Sequence, residues 1–365
     1  MKNKEVPASA QRVMDAVEFR GPDRLPRWDN FSMVDGWGVE FVQRWREWKG
    51  LAKDADPADY YGKDISTVIA EEGAFFRGSG LIEREGQYEI FRDSWGNLLR
   101  KRPGAYFAEP IQNVLDNPAE LDGLEFDPAS DDLRYDAYVK KMAAERNAGR
   151  LPFTKIGGIY CRSQFMRRED RLLMDMASDE GFCHALFARV AEHLTQIAIN
   201  SLERTDSWEQ GLWVYDDCAN SNAPMFSPAM WEKYFLDNYK GMITTLRQRG
   251  CKHFFFHSDG NIGPLIDLLL EAGFEGFNPL EPRCGLDLVK LRECYGKRIV
   301  FFGGICNTQI LPRGNKKEIE AHVRPLVELG AEGGLIIGSA SIGDDISPQT
   351  YDYYISLLDK YGLYR

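Results

Sequence analysis

In the second half of the chain, short apolar runs end abruptly in groups that carry chemistry, and each run is followed by a stretch with helical periodicity. Phe254-Phe255-Phe256 ends in His257-Ser258-Asp259-Gly260. Residues 211–215 end in Asp216-Asp217, 276–280 in Glu281, 298–305 in Cys306 and 334–338 in Ser339. Apolar runs this short suit strands buried on both faces, the condition of a parallel sheet. The periodic segments between them (228–249, 263–272, 286–295, 316–329 and 349–361) supply crossover helices.

The first half begins with helical spacing over 9–20, behind Ser9 as a candidate N-cap. Gly21-Pro22-Asp23-Arg24 stops that helix, and 25–29 can start a strand. A helix is expected over 39–49 and an extended segment near 65–70. Residues 81–102 alternate apolar and charged positions around Gly86 and Gly96-Asn97, the pattern of an antiparallel hairpin. Helix 136–147, a strand at 151–158 and two long helical segments over 168–205 come next. Eight strands in alternation with helices favour a closed (β/α)8 TIM-type barrel, with an N-terminal helical and β-hairpin insertion. No Gly-x-Gly-x-x-Gly turn follows the first strand, which weakens a dinucleotide-binding alternative. The whole of 1–365 reads as one barrel domain, with 30–110 as the insertion.

At 365 residues and 44% apolar content the chain can bury a large core, and its net charge of -11 lacks the basic surface nucleic acid requires. A small-molecule substrate is expected instead. Seven scattered cysteines without Cys-x-x-Cys spacing read as reduced thiols. With neither an apolar leader nor a spanning run, a soluble, cytoplasmic protein is expected, with no membrane partner.

In a barrel, the carboxyl ends of the strands share one mouth, so groups distant in sequence converge there. His257, Asp217, Asp259, Glu281 and Cys306 form the candidate constellation. Imidazole, carboxylate and thiolate together suit zinc. Without metal, His257 can act as acid or base with Asp217 orienting it. Each group also has a plain structural reading: Asp-Gly makes ordinary turns, Cys306 is a small hydrophobe, and Glu281 sits in a proline-stiffened loop. Adjacent carboxylates on a strand point to opposite faces, so one of Asp216 and Asp217 can face the mouth while the other caps a loop. Gly333, Gly334 and Gly338 fit either phosphate binding or close packing. Trp28, Tyr60, Tyr61, Tyr160 and Phe165 are candidates for an apolar pocket, and Trp28, Tyr160 and Ser339 for contact with a bound substrate or cofactor.

Arg12-Val13, Pro22-Asp23-Arg24-Leu25-Pro26, Tyr215-Asp216-Asp217, His257-Ser258-Asp259-Gly260-Asn261-Ile262, Asn278-Pro279-Leu280-Glu281-Pro282, Phe302-Gly303-Gly304-Ile305 and Tyr361-Gly362 stand in an order that resembles the uroporphyrinogen decarboxylase superfamily. The resemblance implies a (β/α)8 barrel, often a homodimer, and one of two chemistries. These are cofactor-free decarboxylation and zinc-dependent methyl transfer involving a corrinoid protein. Pro26-Arg27-Trp28-Asp29-Asn30 stands where the decarboxylases carry Arg-Gln-Ala-Gly-Arg, and Ser339-Ala340-Ser341 where they carry a late histidine. Asp64 falls near their essential aspartate. The methyltransferases have His-x-Cys at His257-Ser258-Asp259 and a second cysteine near Ser339, so both thiolates are missing here. His257 matches, Glu281 stands where a carboxylate ligand can occur, and Cys306 replaces a common aspartate. The leading expectation is methyl transfer between a small O- or N-methylated compound and a separate corrinoid protein, with zinc on His257, Glu281 and either Asp259 or Cys306. The alternatives are a metal-independent decarboxylase of a small carboxylic acid, with Asp217 and His257 handling the proton, and a non-catalytic ligand-binding barrel.

Overall fold

The computed structural model describes residues 8–31, 38–105 and 107–364; residues 32–37 and 106, inside the expected insertion, lie outside them. Among the described residues eleven strands occur in chain order: β1 Ile65–Ile69, β2 Gly80–Glu85, β3 Tyr88–Arg92, β4 Leu98–Lys101, β5 Glu109–Gln112, β6 Leu151–Gly157, β7 Leu212–Tyr215, β8 Phe254–His257, β9 Gly276–Asn278, β10 Val300–Gly304 and β11 Leu335–Gly338. Seven of them form one sheet, β1-β6-β7-β8-β9-β10-β11, every pair parallel. Each strand lies beside the next along the sheet, the order a curling barrel wall requires.

Alternation along each strand decides what faces the barrel axis. Ile65, Leu151, Phe153, Trp213, Phe255, Val300, Phe302 and Ile336 join Trp28 in one buried cluster, closed at the amino end by Ala10, Val13, Ala16 and Val17 of the helix Ala8–Val17. Their neighbours Phe254, Phe256, Leu212, Val214, Phe277 and Leu335 belong to the second, larger cluster beneath the outer helices. Two residues beyond Phe153, Trp213, Phe255 and Gly276, the same alternation turns Lys155, Tyr215, His257 and Asn278 towards the axis at the carboxyl end. The site therefore sits on the most regular part of the fold.

The eighth stave, expected at 25–29, is reduced to a bridge. Arg27 pairs in parallel with Ile337; Trp28 donates to the Ile337 carbonyl at 2.7 Å, Ile337 to Pro26 at 2.9 Å and Asn30 to Ser339 at 3.1 Å. On its other side the segment meets β1 only at its foot, where the Asp64 amide donates to the Arg27 carbonyl at 2.9 Å. The Arg27 amide goes to the Asp64 carboxylate at 2.8 Å instead of to a strand carbonyl, so the ladder stops there and a seam opens higher up. Gly338 permits the close approach: a Cβ there would lie 1.6 Å from the Trp28 carbonyl oxygen.

The expected hairpin is part of a four-stranded antiparallel sheet, β2-β3-β4-β5, whose last strand lies beyond residue 102. It is pinned to the barrel by buried Trp95, 6.4 Å from Phe165, and by Asn97, which donates to the Phe165 carbonyl at 2.8 Å. Residues 168–205 hold the helices Glu169–Ser178 and Glu180–Thr205, preceded by Ile159–Arg167. Ser9 is not a cap: it lies in the first turn and donates to Asp64 at 2.8 Å. All seven cysteines are unpaired, and among the described residues no helix is long and apolar enough to cross a membrane.

Candidate active site at the barrel mouth

His257 ends β8 at the centre of the mouth. Tyr215, its neighbour on β7, stacks on the imidazole at 4.4 Å with 17° between the planes. On the other side, Asn278 of β9 donates through Nδ2 to the Phe302 carbonyl at 3.3 Å, which turns its Oδ1 towards His257 Nδ1, in hydrogen-bond contact. An acceptor there means that Nδ1 carries the proton and Nε2 carries the lone pair of the neutral ring. Among the described residues Nε2 is buried without a hydrogen-bond partner, and it faces Asp217 Oδ1 at 3.7 Å and Asp259 Oδ1 at 3.8 Å.

The two carboxylates are themselves placed by the strand ends. Asp217 accepts from the Tyr215 hydroxyl at 2.7 Å and from the Asp259 amide at 2.9 Å. Asp259 is half exposed; desolvation raises its pKa, His257 opposes that, and the charges of Asp217 and Glu281 add to the rise. Asp216 takes the opposite face, as adjacent strand residues must. It is fully buried and accepts from Cys161 N at 2.7 Å, Tyr160 N at 3.4 Å and the Tyr239 hydroxyl at 2.6 Å, holding the first turn of Ile159–Arg167. Burial pushes its carboxyl up to about 6. Gly158 makes room for it, since a Cβ there would fall 2.0 Å from the Asp216 Cβ.

Lys155 is a site residue that the strand-end pattern does not single out. It lies two residues past Phe153 on β6, its Nζ 4.2 Å from the centre of the Tyr215 ring. Among the described residues it has neither a hydrogen bond nor an ion pair. Burial, followed by the charge of Arg162, lowers its pKa. A lysine at the inward register of a strand whose other inward side chains, Leu151 and Phe153, are apolar is the available clue. Lys155, Tyr215, His257 and Asn278, with Trp28, line a cavity of about 400 Å³ that continues through the seam beside β1.

The remaining expected residues lie around this centre or away from it. Glu281 is buried behind it, accepting from Gly260 N at 3.3 Å and Arg283 Nε at 3.3 Å, and so ties the loops after β8 and β9 together. Cys306 is buried after β10, its amide donating to His322 Nε2 at 3.2 Å. Among the described residues the group able to hold a metal is Asp217, His257 and Asp259, whose ligand atoms lie within 4.8 Å of one another. Neither Glu281 nor Cys306 is part of it. Tyr160 is fully buried against Phe226, its hydroxyl donating to Glu169 at 3.0 Å. Ser339 is buried and closes the eighth stave through its carbonyl. Tyr61 packs between Trp45 and Tyr351, outside the mouth cavity. Gly333 and Gly334 press against Phe19, a packing role.

Asp64 is at the opposite end of the barrel. It precedes β1 and is 1% exposed. Its carboxylate accepts from Ser9 and Arg12 at 2.8 Å, from Arg24 at 2.8 and 2.9 Å and from the Arg27 amide at 2.8 Å. This is a saturated structural anchor beneath the floor, and the geometry gives it no access to the mouth.

A parallel barrel with an imidazole, two carboxylates and a lysine at the carboxyl ends of its strands has the layout of a barrel enzyme. Residues 114–355 match the family model Uroporphyrinogen decarboxylase (URO-D), and the chain belongs to that family. In overall fold it is similar to a methyltransferase from Methanosarcina mazei, with a TM-score of 0.64 and 14% identity over 98% of this chain and 99% of that one. No curated protein matches the chain.

Proposed function

We propose that the protein is a decarboxylase of a small carboxylic acid, working at the mouth without a metal. The observation that carries this reading is Lys155, an unpaired cation lining the same cavity as His257. A cation left without a counter-ion in such a place suits a carboxylate brought by the substrate. Membership of the uroporphyrinogen decarboxylase family supports the same chemistry.

Lys155 would fix the substrate carboxylate while Tyr215 and Trp28 bound the cavity. His257, in its imidazolium form, would give the Nε2 proton to the carbon bearing the carboxylate, with Asp217 and Asp259 balancing the ring's charge. The C–C bond to the carboxylate then breaks, its electron pair stays on the protonated carbon framework, and carbon dioxide leaves. Substrate anion and proton thus yield the shortened product and carbon dioxide. An electron-rich aromatic or enol-type acid suits this order of events, because its carbon accepts a proton first. The test is release of labelled carbon dioxide from carboxyl-labelled hydroxybenzoates and pyrrole carboxylates with a chelator present. No release from any of them, with the protein folded, overturns the reading.

A second reading, zinc-assisted methyl transfer with a corrinoid protein as partner, is favoured by the grouping of Asp217, His257 and Asp259. The buried lone pair at Nε2, with Nδ1 fixed by Asn278, is the arrangement of a metal-binding imidazole, so these three residues fit an ion. Two carboxylates and no thiolate make that donor set a hard one. An ion held there would polarise a methylated oxygen or nitrogen. Metal analysis of the purified protein, and methyl transfer to an added corrinoid protein, separate this reading from the first.

A further inference from the structure

Tyr215 ends β7, between β6, which carries Lys155, and β8, which ends in His257. Its ring is engaged on both faces and at its edge. The His257 imidazole stacks on it at 4.4 Å, and the Lys155 ammonium lies over it, 4.2 Å from its centre. These side chains reach the ring from strands on opposite sides of β7. An imidazole nearly parallel to the ring at that separation fills the face it covers, so the ammonium takes the other. At the edge, the hydroxyl donates to Asp217 Oδ2 at 2.7 Å. A cation sits on one face of the ring, and a carboxylate is held at its rim.

Two acidic groups are close enough for their charge to act on Lys155: Glu72 and Asp217. Glu72 is buried and already satisfied, one oxygen paired with Arg162 and the other accepting from Gly157 N at 2.7 Å. Asp217 is partly exposed and carries no such ion pair; it accepts from the Tyr215 hydroxyl and the Asp259 amide, and its Oδ1 faces His257 Nε2 at 3.7 Å. An ammonium on a flexible four-carbon stem pairs with a carboxylate of this kind when its path is clear. Here the Tyr215 ring occupies the path. Resting on Lys155 as the receiver of the substrate carboxylate, we infer that Tyr215 is a positioning residue whose ring partitions Lys155 from Asp217. The ammonium stays open to an incoming anion, and Asp217 stays turned to His257. Attraction between a cation and a ring face is weak beside an ion pair, so a substrate carboxylate can claim the ammonium.

Benzoate binding, read by titration calorimetry at constant ionic strength, tests the partition without turnover. Both ring faces of Tyr215 are taken, so the probe does not rely on stacking there. Lys155→Met should weaken binding about tenfold, and so should Tyr215→Ala, in which Lys155 closes on Asp217. Tyr215→Phe keeps the ring and should stay within about twofold of the wild type. The decisive variant is the double one. Asp217→Asn should change affinity no more than about twofold in the wild-type background, yet restore it to near the wild-type value when added to Tyr215→Ala. Tyr215→Val, better suited to a strand end, carries the same expectations should the alanine variant not fold. Binding that Tyr215→Ala leaves intact, a loss that Asp217→Asn does not restore, or an equal loss in Tyr215→Phe overturns the inference alone. No benzoate binding by the wild type, or binding that survives Lys155→Met, removes the reading of Lys155 and the inference with it. Lys155-dependent binding with the expected rescue but no carbon dioxide release would remove the decarboxylase reading and leave the partition standing.

Discussion

The floor and the mouth of this barrel use the same kinds of side chain for opposite ends. At the floor, Asp64 meets Arg12, Arg24, Ser9 and the Arg27 amide, and both its oxygens are occupied. At the mouth, among the described residues, His257 Nε2 is buried and unpartnered and Lys155 has no counter-ion. A buried charge that is fully paired stiffens a fold; one left unpaired costs stability unless a ligand completes it. Saturation of hydrogen bonds, more than residue type, therefore separates the anchor from the site.

The strongest way to break this contrast is at the floor. Asp64→Ala leaves partly buried Arg24 without its carboxylate, takes one of two carboxylates from Arg12, which keeps Asp23, and frees the Arg27 amide; it should cost about 3 kcal/mol in urea unfolding, with activity per folded molecule retained. Full stability, or selective loss of activity, would return Asp64 to the candidate catalytic groups. The converse change is Lys155→Met. It should lower kcat/KM about 100-fold, some 2.7 kcal/mol, with a melting temperature equal to or above that of the wild type, because an unpaired cation is removed.

Asp29 sharpens the comparison through pH. Burial raises its carboxyl to about 6, partly opposed by the Tyr351 hydrogen bond. In the native state it stays protonated while the unfolded chain ionises, so its contribution is full below about pH 4 and lost by about pH 6. Relative to Asp29→Asn, the wild type should lose about 3 kcal/mol across that interval and change little above it; a flat difference in chemical denaturation would contradict the assignment. The smallest effect is expected at Asn278. Asn278→Leu removes the acceptor that fixes the His257 tautomer and should reduce kcat about tenfold, with KM nearly unchanged. A change confined to KM would mean that Asn278 contacts substrate instead.

Much of the fold is legible in the sequence because burial on both faces leaves apolar runs of strand length, and β7 to β11 have this character. The eighth stave is less so: Leu25-Pro26-Arg27-Trp28-Asp29 reads as a strand, but the Asp64 carboxylate takes the Arg27 amide that a ladder would need. The division of labour between Asp216 and Asp217 comes from strand alternation and holds in the structure. Glu281 and Cys306 stand past the ends of their strands as expected, but both lie in loops, and loop direction is not written in hydrophobic period. Glu281 turns back to Gly260 and Arg283, and the Cys306 amide is taken by His322. Lys155 is easily overlooked because one charge in an apolar strand is absorbed into the strand pattern, although its parity with Leu151 and Phe153 points it inward.

The most direct test is release of carbon dioxide from carboxyl-labelled electron-rich acids by the wild-type and Lys155→Met proteins, each with and without a strong chelator. An unpaired lysine acting as the substrate's counter-ion predicts release that the chelator leaves untouched and that the substitution reduces about 100-fold. Turnover that the chelator abolishes and added zinc restores, at equal rates in both proteins, would contradict it.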